Sequence, residues 1–152
     1  MVASDARSRT KIYLEAKITD VNLTKDDDTT ELSYIVAFGK PSYPLTRVFT
    51  DKDVDLIFSV EEPVSTPLIQ YDMTIWGYKE KIPITVYCID KSDVTGELIK
   101  WKAKRELRLV FESYPFGSVR HTIDEVDNDQ VIGGTTVYSC TFTLNYRRNK
   151  TV

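Results

Sequence analysis

Residues 95–117, TGELIKWKAKRELRLVFESYPFG, have a helical hydrophobic period, unlike the segments on either side, and this contrast decides the fold class. Apolar residues recur here at spacings of three and four, which predicts an amphipathic helix of about five turns from Thr95 to Tyr114. Asp93 or Thr95 can cap its first turn, and Pro115 with Gly117 ends it. The residues expected to face the core are Ile99, Ala103, Leu107, Val110, Phe111 and Tyr114.

The segments on both sides of this helix alternate with a period of two, which predicts strands. The predicted strands are residues 11–23, 32–38, 47–50, 54–60, 68–78, 82–90, 118–126 and 136–148. We expect the first two to form a long hairpin across the charged turn 25–31. We expect another hairpin to turn at 79–81, with Pro83 at a strand start or edge.

The sequence therefore predicts an α+β fold. It comprises a mostly antiparallel β-sheet of six to eight strands, with one long amphipathic helix packed on it near the C-terminal end. Residues 1–152 are expected to form a single domain, with residues 1–10 as a flexible N-terminal segment.

The composition favours a soluble intracellular protein. The chain has 152 residues and a net charge of −3, and no apolar run is long enough to cross a membrane. Its isoelectric point near 5.2 argues against a protein that binds duplex DNA through phosphate neutralisation. Cys88 and Cys140 lie in alternating runs, which indicates two reduced core residues rather than a disulfide.

No residue pattern indicates catalysis. His121 is the only histidine, and no glycine-rich nucleotide motif or nucleophile elbow is present. The carboxylates at 51, 53, 55 and 62 have the spacing of a calcium loop, but Leu56 stands where that loop requires glycine. We expect no metal, no cofactor and no enzymatic activity, although surface carboxylates alone can form a site in a hydrolase.

The helix presents two further sides beside its core face. One is a cationic stripe at i, i+4 and i+8, formed by Lys100, Lys104 and Arg108. The other, the apolar strip, consists of Leu98, Trp101, Arg105 and Leu109. Tryptophan beside arginine is typical of protein interfaces, so the strip is either a contact with another protein or is covered by a loop of the same chain, such as residues 41–44.

The order of elements in the second half resembles that of the tail terminator proteins of long-tailed phages and related prophages. The resemblance spans residues 71–148 and lies in the strand IPITVYCID, the helix TGELIKWKAKRELRLVFESYPFG, the segment SVRHTIDEVDNDQ and the final strand TTVYSCTFTLNYRR. Members of that family also begin with a helix, whereas residues 11–23 here alternate like a strand.

The resemblance implies a structural protein of the virion, assembled in the host cytoplasm. Such proteins form a homo-oligomeric ring, usually of six copies, that caps the tail tube and joins it to the head-connector proteins at the neck. DNA then at most passes through the lumen without specific binding, and no membrane is involved.

A ring requires one patch to meet a different patch on the next copy. The apolar strip and the cationic stripe are candidates for one side. The opposite side is either the charged turn 25–31 or an acidic counter-surface formed by Asp124, Glu125, Asp127 and Asp129. The alternative function is a non-viral β-rich binding module for a small ligand or peptide.

Overall fold

The computed structural model describes residues 6–18, 23–39, 45–112 and 122–149, and it has the predicted α+β class. Three helices and seven strands form in these ranges. In chain order they are α1 (Ala6–Ile18), β1 (Tyr34–Phe38), α2 (Leu45–Asp51), β2 (Leu56–Val60), β3 (Val64–Ile69), β4 (Ile75–Ile89), α3 (Gly96–Glu112), β5 (Thr122–Asp127), β6 (Gln130–Ile132) and β7 (Thr135–Asn149).

The strands form one mixed sheet in the order β1-β2-β4-β7-β5, while β3 pairs with β4 and β6 with β7. The two 15-residue strands β4 and β7 run antiparallel along the centre, with Ile84 opposite Phe142. Only β1 and β2 pair in parallel among the described strands. The mostly antiparallel character predicted for the sheet is therefore confirmed.

Each face of the sheet buries apolar residues against helices. One face holds the larger cluster, in which Ile84, Val86 and Phe142 pack with α1 and α3. The other face packs α2 against Ile57 and Tyr87 at one end of the sheet. The predicted inward alternation of β7 is confirmed, since Cys140, Phe142 and Leu144 are fully buried in the larger cluster.

The first predicted strand is wrong, because residues 6–18 form helix α1. Thr10, Leu14 and Ile18 are buried at a spacing of four, whereas Ile12 is 63% exposed. The apparent alternation arose because Leu14 and Ile18, four positions apart, fit a helix as well as a strand. The helix also begins at Ala6, inside the segment expected to be flexible.

The predicted opening hairpin is consequently absent from the described residues. Strand β1 pairs in parallel with β2, and the connection between them contains α2. Residues 47–50, predicted as a strand, lie in α2, where Leu45, Val48 and Phe49 are buried at spacings of three and one. Lys91 donates to the carbonyls of Phe49 (3.3 Å) and Val54 (2.7 Å) just beyond the end of this short helix.

The hairpin predicted to turn at 79–81 is wrong, because residues 75–89 form one strand, β4. The hairpin that does form here pairs β3 with β4 across a turn at residues 70–74. Strand β4 runs without interruption through the predicted turn, and Pro83 lies within it opposite Thr143. The carbonyl of Pro83 accepts a hydrogen bond from Glu61 N (2.9 Å) in the link between β2 and β3. On that side of β4, strand β2 pairs only as far as Ile84 and β3 only as far as Lys81, so the missing N–H of Pro83 falls in the gap between these two strands.

The predicted long helix is confirmed as α3. Strands β2, β5 and β7 confirm the predicted strands at residues 54–60, 118–126 and 136–148. Residues 127–134, between the last two predicted strands, contain the short strand β6 before the turn at Gly133 and Gly134. Cys88 and Cys140 are buried free thiols, as predicted. His121 and residues 113–120 lie outside the described residues.

Candidate functional site

Hydrogen bonds and close packing against Tyr138 fix the first turn of helix α3 on the sheet. A carboxylate oxygen of Asp26 accepts from Thr95 N (2.9 Å), and Asp90 accepts from Gly96 N (2.7 Å). A Cβ atom at Gly96 would lie 2.4 Å from the ring of Tyr138, so only glycine allows this approach. The buried face of the helix therefore fixes the direction of its two outward sides.

The cationic stripe faces carboxylates of the same chain. Lys100 Nζ lies 2.9 Å from Asp129 Oδ1 and 3.3 Å from Asp127 Oδ1, and the Lys100 side chain is only 9% exposed. Asp129 also accepts from Ser139 N (3.0 Å), which fixes its carboxylate beside the helix. The first cation of the stripe is thus held inside the protomer.

The other two cations continue this pattern along strand β5. Lys104 Nζ is 3.1 Å from both Glu125 Oε1 and Asp127 Oδ1, and Arg108 pairs with Glu125. We call this set of pairs the charge ladder.

The ladder follows from the periods of the two elements. Helix residues four apart rise about 6 Å, and strand residues two apart rise about 6.8 Å, so successive cations meet successive carboxylates. The register places Glu125 opposite Phe142 and Asp127 opposite Cys140, on the face that α3 covers. Asp124 points to the other face, where it accepts from Asn145 Nδ2 (2.8 Å).

The ladder shifts the pKa values of its members in the direction that keeps them charged. Burial opposes the charge of Lys100, but its hydrogen bond to Asp129 and the nearby carboxylates outweigh burial and raise its pKa. The pKa of Lys104 is raised by the same balance, with Asp127 and Glu125 as partners. The hydrogen bond from Lys104 lowers the pKa of Asp127.

The opposite flank of α3 engages the charged turn 25–31. Lys102, whose side chain is 7% exposed, donates to Asp28 Oδ1 (2.8 Å) and to the carbonyls of Thr24 (3.2 Å) and Lys25 (3.1 Å). Both acidic segments considered as opposing surfaces in a ring therefore contact α3 of their own chain. These charges thus have partners within the protomer, and their role in contacts between copies stays a prediction.

The apolar strip has no such cover among the described residues. Leu98 is 37% exposed, while Trp101 and Leu109 are each 54% exposed. The guanidinium of Arg105 lies 4.9 Å from the centroid of the Trp101 ring, a cation–π contact. Residues 41–44, the alternative cover for the strip, lie outside the described residues.

Trp101 and Arg105 form a ridge between two shallow hollows. Lys104, Arg108, Leu109 and Glu125 line the hollow on the ladder side. Leu23, Thr29, Glu31 and Leu98 are among the residues that line the other. Such a surface offers a partner apolar area, an aromatic ring stacked on an arginine and two half-exposed guanidinium groups, Arg105 and Arg108.

A second exposed apolar surface was not predicted. We call residues 64–81, which comprise β3, the turn and the first half of β4, the hairpin arm. Its exposed apolar side chains are Val64 (54%), Ile69 (56%), Tyr71 (106%), Met73 (79%) and Trp76 (40%). The sequence signal was the run LIQYDMTIWGY, whose polar interruption at Asp72 marks the turn.

The turn of the arm is built around the backbone of Met73, which has a φ of +69°. Met73 N donates to Gln70 O (2.9 Å), and Gln70 N donates to Thr74 O (2.8 Å). Asp72 Oδ1 accepts from Thr74 N (3.0 Å). A methionine in the left-handed region is strained, since glycine or asparagine suits this position better.

The remaining candidate groups do not form a reactive centre in the described ranges. Burial raises the pKa of the Cys88 and Cys140 thiols to about 12, so neither is a thiolate at neutral pH. The described residues contain no cluster of three histidine, cysteine or carboxylate side chains suited to a metal ion. None of the described helices is both long and apolar enough to span a membrane.

Comparison of the chain with protein-family models and with curated proteins found no match. The fold and the two apolar surfaces are therefore the basis for assigning a function.

Proposed function

We propose that the protein is a non-enzymatic structural protein of the virion, of the tail terminator or neck type. It forms a closed homo-oligomeric ring, six copies in the family it resembles, that caps the tail tube and contacts the head-connector proteins. Assembly takes place in the host cytoplasm.

The observation that carries the proposal is the order of elements together with the exposed strip on α3. The first element in the described residues is helix α1, and members of the resembled family also have an N-terminal helix. Strand β4 then leads into α3, followed by β5, an acidic turn and the long final strand β7. The strand predicted at residues 11–23, which departs from the family pattern, is wrong, because residues 6–18 form a helix.

Two apolar surfaces on one chain support self-assembly. The apolar strip lies on α3, and the hairpin arm extends from the sheet beyond that helix. A closed ring uses two different patches of each copy, so a chain with two distinct patches meets this requirement. The buried thiols and the engaged carboxylates support a role without catalysis.

The test is the assembly state of the purified full chain. We expect light scattering and sedimentation to show a discrete oligomer that persists at high salt, because the contacts are mostly apolar. Electron microscopy should show rings with an open centre, and addition of purified tail tubes should place a ring at one tube end. Neighbouring genes for tube, portal and capsid proteins are also expected.

Trp101→Ala should abolish the rings while the protomer stays folded, and Val131→Ala is the matched control. Val131 is 71% exposed but lies on β6, outside both apolar surfaces. A chain that stays monomeric at high concentration, with and without tail tubes, would contradict the proposal. Saturable binding of a peptide or small ligand by that monomer would establish the β-rich binding module instead.

A further inference from the structure

We propose that the tip of the hairpin arm inserts Tyr71 and Met73 beside the Trp101–Arg105 ridge of a second copy of this chain. This inference rests on the proposed function and deepens it, because it names the two surfaces that meet around the ring. The contact is heterologous, with the arm of one copy on the α3 strip of the next.

The position of the arm excludes a contact with the strip of its own chain. Helix α3 starts near Cys88, whose thiol donates to Gly96 O (3.2 Å), and Arg108 reaches Glu125 at the level of Ile84 in the sheet. The arm continues β4 past Ile82, beyond the end of the helix. Met73 lies nine positions before Ile82, across strand β4 and the turn, which corresponds to a reach of at most about 30 Å away from the strip.

Charge complementarity selects the strip as the surface that receives the tip. The ladder and the charged turn hold Lys100, Lys102 and Lys104, whose side chains are at most 22% exposed. Arg105, at the centre of the strip, is 49% exposed and lies 3.6 Å from Glu106 of the same helix. The tip, residues 70–74, carries one charged side chain, Asp72. In this contact the exposed anion Asp72 meets the half-exposed cation Arg105 at the centre of two apolar patches.

The shapes also correspond. The ridge separates two hollows, and the tip carries two large side chains two positions apart, Tyr71 and Met73, on either side of Asp72. With one side chain in each hollow, Asp72 lies over the ridge near Arg105. Aromatic and methionine side chains surrounding an arginine are typical of the centre of a protein interface. The strained backbone of Met73 holds its side chain outward, as a binding tip requires.

The test uses single-cysteine additions to the full chain and a short thiol-to-thiol maleimide cross-linker. Tyr71→Cys and Leu109→Cys place one reactive thiol on the tip and one on the strip, while the buried native thiols, with pKa values near 12, do not react. We expect a cross-linked dimer when the two variants are mixed, and none from either variant alone. The yield should exceed that of Leu109→Cys mixed with Val131→Cys by about tenfold.

Cross-linking of Tyr71→Cys with itself would overturn the inference, because it would show a symmetric contact between two tips. A yield no higher than that of the Val131→Cys control would overturn it as well. If rings still form and cap tail tubes in that case, the proposed function stands with another interface. A specific mixed product from open filaments that bind no tail tubes would support the inference and contradict the proposed function.

Discussion

The cationic stripe and the apolar strip of helix α3 have similar spacing in the sequence, but they differ in their contacts within the chain. The cationic stripe meets a matching row of carboxylates on β5, with distances of 2.9 to 3.3 Å for the two lysines. The apolar strip, only one position away along the chain, exposes half of Trp101 and half of Leu109. A side whose charges are paired within the chain contributes to the stability of the fold, whereas an exposed apolar side is available for a partner. We therefore expect substitutions in the stripe to change stability and substitutions in the strip to change association.

Substitution of Gly96, in the first turn of α3, should disturb both the cationic stripe and the apolar strip and have the largest effect. Gly96→Ala places a Cβ 2.4 Å from the Tyr138 ring, so the helix must shift. We expect a loss of about 3 kcal/mol in the free energy of unfolding, measured by denaturant titration, together with loss of the oligomer. Gly133→Ala is the control, since that glycine has a φ of +58° but open space around it, and it should lose about 1 kcal/mol.

Neighbouring substitutions at Lys100 and Trp101 should separate the two roles. Lys100→Met leaves Asp129 and Asp127 without their buried cation, so we expect a loss of about 2 kcal/mol in unfolding free energy with unchanged association. Trp101→Ala should weaken association at least about tenfold while it changes stability by less than about 1 kcal/mol. The opposite pattern would assign assembly to the charges and fold stability to the tryptophan.

The change of unfolding free energy with pH should depend on the charge ladder and not on the apolar strip. Because the pKa of Asp127 is lowered from 3.8, its contribution is present above that value and is lost as the pH falls through the folded pKa. The pKa of Lys100 and Lys104 is raised from 10.5, so their contribution is present below that value and is lost as the pH rises through the folded pKa.

Asp127→Asn should therefore lose at most about 1 kcal/mol at pH 7, and the difference from the wild type should shrink as the pH falls below 3.8 through the folded pKa, as measured by urea unfolding. Asp124→Asn, on the other face of the sheet, should change stability little at pH 7. An equal loss in both variants would mean that general surface charge, and not the ladder, carries the effect.

The sequence was sufficient to predict α3 because its apolar period, cap and stop signals all agree. It did not distinguish α1 from a strand, since Leu14 and Ile18 fit both periods and Ile12 faces outward in a helix that buries only a narrow stripe. The parallel pairing of β1 with β2 depends on tertiary contacts through α2, which no local pattern contains.

The three sides of α3 were predictable from helical geometry, but the partners of the stripe were not. They depend on which face of β5 carries Glu125 and Asp127, and this is set by the register with β7. The hairpin arm was missed because its turn was placed at Lys79–Lys81, where charged residues suggested a break. In the structure those residues continue β4, and the turn lies at Asp72 and Met73.

The smallest expected effect tests whether the strained backbone of Met73 contributes to association. Met73→Asn suits the left-handed backbone, so we expect unfolding free energy to rise by about 0.5 kcal/mol. Because the tip then has one apolar side chain fewer, association should weaken at the same time, measured by sedimentation of the same samples. Val131→Asn, which removes an equally exposed apolar side chain from β6, should leave association unchanged. A gain in stability with full association would mean that Met73 takes no part in the contact, whereas a gain in stability with weaker association places the strained tip in the interface.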